Sequence, residues 1–360
     1  MQSEIDRNTA SVTPLSVLVV GGYGVVGTQV CNLLSQRHPR LKIWVGGRSL
    51  VKAERIAQGI KNASAILIDV DNSDPLASLA TMPDAIVVAV NDTNDRLLLS
   101  AVKRGVAIVD IARWLERIHD AQEVLAGQPL RAPVVLSSGW MAGVASVTAA
   151  AFRRLPQPAQ QIDIDILFAT GDRAGPDSVV GFIDAHHPFT IWSNGERRLV
   201  QAMSDGRPVQ FSNNQSANCR RVDSPDQMTL VRTGNALGVS TRMAFDNSLM
   251  TFIFAKVVRS GIWARLSRNT RIKMLYNPGS GASHEFVITI KEEDTQRILV
   301  KHKLGQTHLT AIGTVTQVER LLGLNGRSRP PTGISYPEQA DDIHAYIDAL
   351  RSMGVEIKEV

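Results

Sequence analysis

Val17-Leu-Val-Val20 runs without a break into Gly21-Gly22-Tyr23-Gly24-Val25-Val26-Gly27, and Val30, Leu33 and Leu34 follow at helical spacing. A short β-branched run reads as an interior strand, and the apolar stripe behind it as a helix. Gly22, Gly24 and Gly27 stand between them in G-x-G-x-x-G register, the context that gives this pattern meaning. Gly22 allows a tight turn, Gly24 lets the backbone approach a pyrophosphate, and Gly27 lets helix pack on strand. Tyr23, Val25 and Val26 complete the loop, and the helix N-terminus turns unpaired N–H groups toward phosphate. The stretch therefore reads as the dinucleotide-binding turn of a first βα unit.

Further apolar runs at 42–45, 65–68, 85–90, 106–109 and 134–136 alternate with helical segments near 52–59, 94–104 and 115–126. Six strands with their crossovers predict an α/β fold, a doubly wound parallel sheet of the Rossmann type, over residues 15–145. After the Leu155-Pro-Gln-Pro158 break the texture changes to longer alternating strands such as 161–168 and 284–291, with a polar loop region around 204–218. We expect a second α+β unit over 146–309 that carries substrate and dimer contacts. Helical stripes at 311–322, capped by Gly323, and at 343–350 predict closing helices over 310–360 that pack back on the Rossmann unit. Residues 1–14 read as a flexible tail.

Composition narrows the class. With 44% hydrophobic and 20% charged residues in 360, the chain is a folded globular protein long enough for two cores. Two cysteines, Cys31 and Cys219, exclude a disulfide framework or a cysteine metal knuckle, and no metal is expected. Without a signal-like N-terminal run, a cytoplasmic location is expected. The net charge of +5 is concentrated: residues 247–284 hold Lys256, Arg259, Arg265, Arg268, Arg271 and Lys273 and no acid. No nucleic-acid motif accompanies them, so no nucleic-acid partner is expected. A solvated helix face is the favoured reading of this segment, and membrane contact the less favoured one.

In sheets of this kind ligands bind outside the carboxyl ends of the strands. At the second strand end, where an NAD site places an acid, the sequence has Gly47-Arg48-Ser49 with Lys52 a turn later. A guanidinium fork, a hydroxyl and an ammonium suit a 2′-phosphate, so the expected cofactor is NADP(H). Asp69 and Val70 after the third strand are candidates for the adenine edge, and Asn91 after the fourth for the nicotinamide side.

The opening 17–27, the segment Gly47-Arg48-Ser49-x-x-Lys52-Ala53-Glu54, the strand 85–91, the strand ending at Asp110 and Ser138-Gly139-Trp140-Met141-Ala142-Gly143 together resemble the saccharopine dehydrogenase-like reductase family. The resemblance spans about 15–145 and returns near Pro330-Pro331-Thr332-Gly333. It implies an NADP-binding domain, with Asp110, Gly139 and Trp140 beside the cofactor, followed by a substrate domain. It further implies an oxidoreductase that reduces a C=N bond, or runs the reverse oxidation, on an amino-acid-like small molecule. Enoyl reduction of a carrier-bound or lipid-like chain is an alternative within the family, and a non-catalytic NADP-binding regulator a third reading. One departure stands out: Ala142 occupies the position where members often carry proline.

For the chemical step, Gly139 lets the backbone come close to the nicotinamide ring, while Trp140 and Met141 are candidates for the substrate wall. Asp184 and His187, in Gly181-Phe-Ile-Asp-Ala-His-His-Pro188, are the general acid and base candidates. Arg173 and Arg242 are candidates for a substrate carboxylate. Cys219 beside Arg220-Arg221 has the surroundings of a lowered-pKa thiol, but without a catalytic histidine in context it reads as a free cysteine. Homodimerisation is expected from base rates.

Overall fold

The computed structural model describes residues 14–172, 187–275, 279 and 282–360. The tail at 1–13 and the candidates Arg173 and Asp184 lie outside them. The first unit runs β1 (Ser16–Val20), α1 (Val25–Arg37), β2 (Lys42–Gly47), α2 (Leu50–Gln58), β3 (Ala63–Leu67), β4 (Ala85–Val88), α3 (Arg96–Arg104), β5 (Ala107–Asp110), α4 (Leu115–Leu125), β6 (Pro133–Leu136) and α5 (Val144–Ala151). Its strands are parallel in the order β3-β2-β1-β4-β5-β6, so the chain reverses direction across the sheet between β1 and β4. Side chains alternate across the pleat: Val17 and Val19 of β1 enter one core with α1, and Leu18 and Val20 enter the other with α3 and α4. Every β1 residue is buried, which is why the strand reads as a continuous apolar run.

The second unit comprises β7 (Gln161–Phe168), β8 (Phe189–Ser193), β9 (Glu196–Val200), β10 (Arg207–Gln210), β11 (Ser216–Arg221), α6 (Asp226–Arg232), β12 (Val239–Phe245), α7 (Ser248–Arg259), α8 (Ile262–Arg265), α9 (Arg268–Leu275), β13 (His284–Lys291) and β14 (Thr295–His302). These strands form a mixed sheet with β10-β11-β12-β7-β13-β14 in order, and β8 and β9 at its side. The polar stretch expected as loop at 204–218 contains β10 and half of β11, paired antiparallel from Arg207↔Cys219 to Gln210↔Ser216. Their alternate residues Val209 and Cys219 join a small core on the outer face of the sheet, a signal of period two that the polar neighbours conceal.

The remainder is α10 (Gly305–Leu322), β15 (Gly333–Ser335), α11 (Ile343–Ser352) and β16 (Glu356–Glu359). α10 joins both cores, with Ala311, Val315, Val318 and Leu321 against the Rossmann sheet and Leu309 and Ile312 against the second. Each of the buried Val, Leu and Ile side chains among them contributes about 1.5–3 kcal/mol. Gly323, in the left-handed conformation, ends the helix, its N–H meeting the carbonyls of Arg320 and Glu319. β15 adds a seventh parallel strand beside β6. The expectation that all of 310–360 returns to the Rossmann unit needs correction, because α11 and β16 go the other way. Tyr346, Ile347 and Leu350 lie in the second core, and β16 pairs with β14.

Candidate functional site

The glycine loop is built by close contact. Gly21, not Gly22, adopts the positive φ of the turn (+85°), and a Cβ there would lie 2.6 Å from Val90 Cγ1. Gly22 is required for a different reason: a Cβ would come within 2.8 Å of the Val19 carbonyl and 2.9 Å of Val45 Cγ1. At Gly27 it would reach 2.2 Å from the Gly21 carbonyl, so helix and turn can touch only through glycine. Gly24 is the N-cap of α1 with no side chain to occupy the first N–H groups, and it is exposed. This bare cradle at a helix N-terminus fits a pyrophosphate.

Beside it, the end of β2 presents the residues that read as the 2′-phosphate edge. The Tyr23 ring lies against Gly47, where a Cβ would be 2.4 Å from the ring, and the Lys52 ammonium sits 6.0 Å from the same ring's centroid. Arg48 is 69% exposed and stands 3.5 Å from the Asp71 carboxylate. Ser49 caps α2 by accepting the Lys52 N–H at 3.4 Å. Tyr23, Arg48, Ser49 and Lys52 thus form one accessible, cationic corner next to the cradle, as a phosphorylated ribose requires. Asp69 accepts the Asp71 N–H at 3.1 Å in a local turn, and Val70 packs on the core.

From Val26 the floor continues into a cleft of about 480 Å³ between the two units. Asn91, Gly139, Trp140 and Met141 line it, together with Ile111, Arg113 and Arg117 from the end of β5 and the start of α4. Asp110 is not among the lining residues: it is buried and bonded to Arg113, whose Nε donates to it at 2.6 Å while Nη1 donates to Asp95. Asp110 therefore acts on the site through Arg113, with Asp92 3.9 Å from the same guanidinium. Sequence reasoning missed this Arg113 cluster. Acids at 92, 95 and 110 become one group only because β4 and β5 are neighbours.

The loop after β6 is unusual. Met141, Ala142 and Gly143 all have positive φ (57°, 55° and 85°), a costly run for side-chain-bearing residues. Proline, held near −65°, cannot take the backbone of Ala142, which gives a physical reason for the residue found there. Three contacts fix the loop. Ser137 Oγ donates to the Ala142 carbonyl at 2.8 Å, and Gly313 of α10 lets the Met141 carbonyl approach to where a Cβ would be 2.5 Å away. The Trp140 N–H donates to the buried Asp226 carboxylate at 2.8 Å. Gly139 is required beside Asp226, since a Cβ would lie 2.6 Å from its Oδ1.

The Trp140 indole N–H donates to Nε2 of His284 at 3.1 Å, 144 residues away in sequence. Burial holds His284 down to about 3, so it stays neutral and, with Nε2 accepting, carries its proton on Nδ1, 3.9 Å from Asp172. Asp172 in turn accepts the Gln306 N–H at 2.8 Å near the start of α10. The indole is thus aimed by a buried chain that no local sequence signal announces.

The far wall comes from the second unit: Phe168, His187, Ser224, Pro225, Phe245 and Arg268. His187 Nε2 faces Glu116 Oε1 across the cleft at 3.9 Å. Behind Ser224, burial pushes the Asp223 carboxyl up to about 6, and the charge of His187 acts on it. One expectation fails here. Arg242 is not in the cleft: it lies on the outer face of the second sheet, donating to Asp163 (3.1 Å) and Asp205 (3.1 Å). Cys219 is free but buried, and desolvation raises its thiol well above the ordinary range, which rules out a lowered-pKa nucleophile.

Comparison with known proteins supplies the context. Residues 17–131 match the family described as the saccharopine dehydrogenase NADP binding domain. Among solved structures, saccharopine dehydrogenase (L-Glu forming) from Saccharomyces cerevisiae aligns over 96% of this chain and 100% of its own, with a TM-score of 0.63 at 14% identity. A myo-inositol dehydrogenase from Corynebacterium glutamicum aligns over 94% of this chain and 93% of its own, with a TM-score of 0.46 at 12% identity. No curated protein matches the chain. Residues 17–131 thus match the saccharopine dehydrogenase NADP binding domain family, which makes NADP the cofactor and supports an oxidoreductase, and the chain as a whole has the saccharopine dehydrogenase fold.

Proposed function

We propose that the protein uses NADPH to reduce a C=N bond of a small amino-acid-like substrate held between its two units. The observation that carries this reading is the cleft. It runs from Val26, just after the glycine loop, to a wall of the second unit that holds His187, and its volume of about 480 Å³ suits a small molecule. When bound, NADPH supplies the hydride. The chain supplies the rest. The glycine loop and the Tyr23, Arg48, Ser49 and Lys52 corner hold the dinucleotide, and Trp140 and Met141 wall the reacting region.

His187 is the candidate to hold, at Nε2, the proton that the product amine takes up. Glu116 Oε1 lies 3.9 Å from that nitrogen, and Asp223, whose carboxyl burial raises to about 6, is a second proton-holding group in the same wall. A substrate carboxylate needs a cation in the cleft. Arg117, partly exposed while bonded to Asp95 (2.9 Å) and Asp120 (2.6 Å), takes over the role expected of Arg242. Asp184 and Arg173 remain candidates outside the described residues.

The test is NADPH consumption by the purified protein with oxo acids plus amines, and separately with enoyl thioesters. Consumption that needs both amine and oxo acid is the expected result. Turnover of enoyl thioesters alone would replace imine by enoyl reduction, and no turnover with any acceptor despite tight NADPH binding would favour a regulator.

A further inference from the structure

The basic stretch that the cofactor site leaves unexplained folds into α7, α8 and α9. α7 buries Thr251, Phe254 and Ala255, and α8 buries Trp263. Phe254 packs edge-on between Phe245 (5.6 Å) and Trp263 (5.1 Å). That inner contact satisfies the ordinary demand on an amphipathic surface helix, whose outer face is then polar. Here the outer face is not polar.

Leu249, Met250, Phe252, Ile253, Ile262 and Met274 are 44–64% exposed. They are six of the thirteen large exposed hydrophobic residues among the described residues, gathered in 26 positions. Leu249, Phe252, Ile253 and Lys256 share the solvent side of α7, with the Lys256 ammonium 5.6 Å from the Phe252 ring centroid. Arg259, Arg265, Arg268, Arg271 and Lys273 continue the charge, and no acidic residue occurs from 247 to 275.

Apolar side chains flanked by cations of one sign fit a particular occupant. A two-fold contact with a second copy would set this cationic patch against itself, which like-charge repulsion opposes. An anionic bilayer accepts both features: the apolar row enters the acyl boundary and the Lys and Arg groups meet the headgroups. Among the described residues no helix is long and apolar enough to cross a membrane, so the contact is a lateral one. We propose that the outer face of residues 249–274 docks on an anionic lipid bilayer. Arg268 and Leu275 of α9 also border the cleft, so docking brings its rim close to the membrane surface. This proposal stands independently of which bond the cleft reduces.

The experiment is co-sedimentation of the full chain with vesicles of phosphatidylcholine, with and without phosphatidylglycerol, at low and high salt. Binding that needs the anionic lipid and weakens as salt rises is expected. Two double variants, Phe252→Ser with Ile253→Ser and Lys256→Glu with Arg259→Glu, should each bind at least about tenfold more weakly, since each cation near the surface is worth about fivefold. Their thermal shift with NADPH should be that of the parent, which shows that they fold. Three results would overturn the proposal: no sedimentation with anionic vesicles, variants that bind as well as the parent, or a dimer in sedimentation velocity that either variant dissociates. The last would assign the face to a second copy.

Discussion

Arg48, which we propose selects the cofactor, does so without stabilising the fold. Its partner Asp71 is as exposed as Arg48 itself, and such pairs contribute at most about 1 kcal/mol. A charge-assisted bond to a phosphate is worth about 1.5–3 kcal/mol, so Arg48→Asp should weaken NADPH binding roughly ten- to a hundredfold. NADH affinity and melting temperature should hardly move, as calorimetric titration with both cofactors will show. His187→Ala should lower kcat by about a hundredfold with NADPH affinity unchanged; a normal kcat would remove His187 as proton donor. At this scale the sequence was legible where chemistry is local. Gly22, Gly24, Gly27 and Arg48 lie in one βα unit, whereas Trp140, His284 and Asp172 meet only in the folded chain. Arg242 was misplaced because residue type does not tell which face of β12 a side chain takes. Met243, one position on, points into the inner core.

Among elements, α10 and the loop after β6 depend on each other. Gly313 lies mid-helix, where alanine is preferred by about 1 kcal/mol. Its Cβ would, however, meet the Met141 carbonyl at 2.5 Å, in a loop already held at positive φ, and Val144 Cγ2 at the start of α5 at 2.9 Å. Overpacking costs about 1–3 kcal/mol, so steric conflict wins over propensity. Gly313→Ala should lower the melting temperature and reduce kcat more than NADPH affinity, because the loop walls the reacting end of the cleft. A raised melting temperature with full activity would show that the loop yields freely. The helix itself was legible from its stripe and its Gly323 cap. Its function as the seam between two cores was not, since one apolar stripe does not name its partners. β15 and β16, three and four residues long, are too short to show a period.

For the molecule as a whole, burial of titratable groups sets opposing pH dependences. Burial lowers His284 to about 3 and also lowers His302 and His308, so these neutral rings contribute stability above pH 6.5 that is lost as pH falls. Glu338 behaves oppositely. Burial raises its carboxyl from 4.5 to about 7, so the stability of its neutral form is present below 4.5 and lost as pH rises through 7. Glu338→Gln should therefore raise the melting temperature at pH 8, with the gain shrinking toward pH 4.5; an equal change at both pH values would contradict this. The six Rossmann strands were legible because buried parallel strands read as unbroken apolar runs. The path of the last fifty residues was not, as it alternates between the two sheets. The central claim, an NADP site built on the glycine loop and selected at Arg48, is tested most directly by thermal-shift titration with NADPH, NADP, NADH and NAD. A ligand that binds only the folded state must raise the transition. A shift confined to the two phosphorylated dinucleotides is predicted, and an equal shift with NADH, or none with any of the four, would contradict the account.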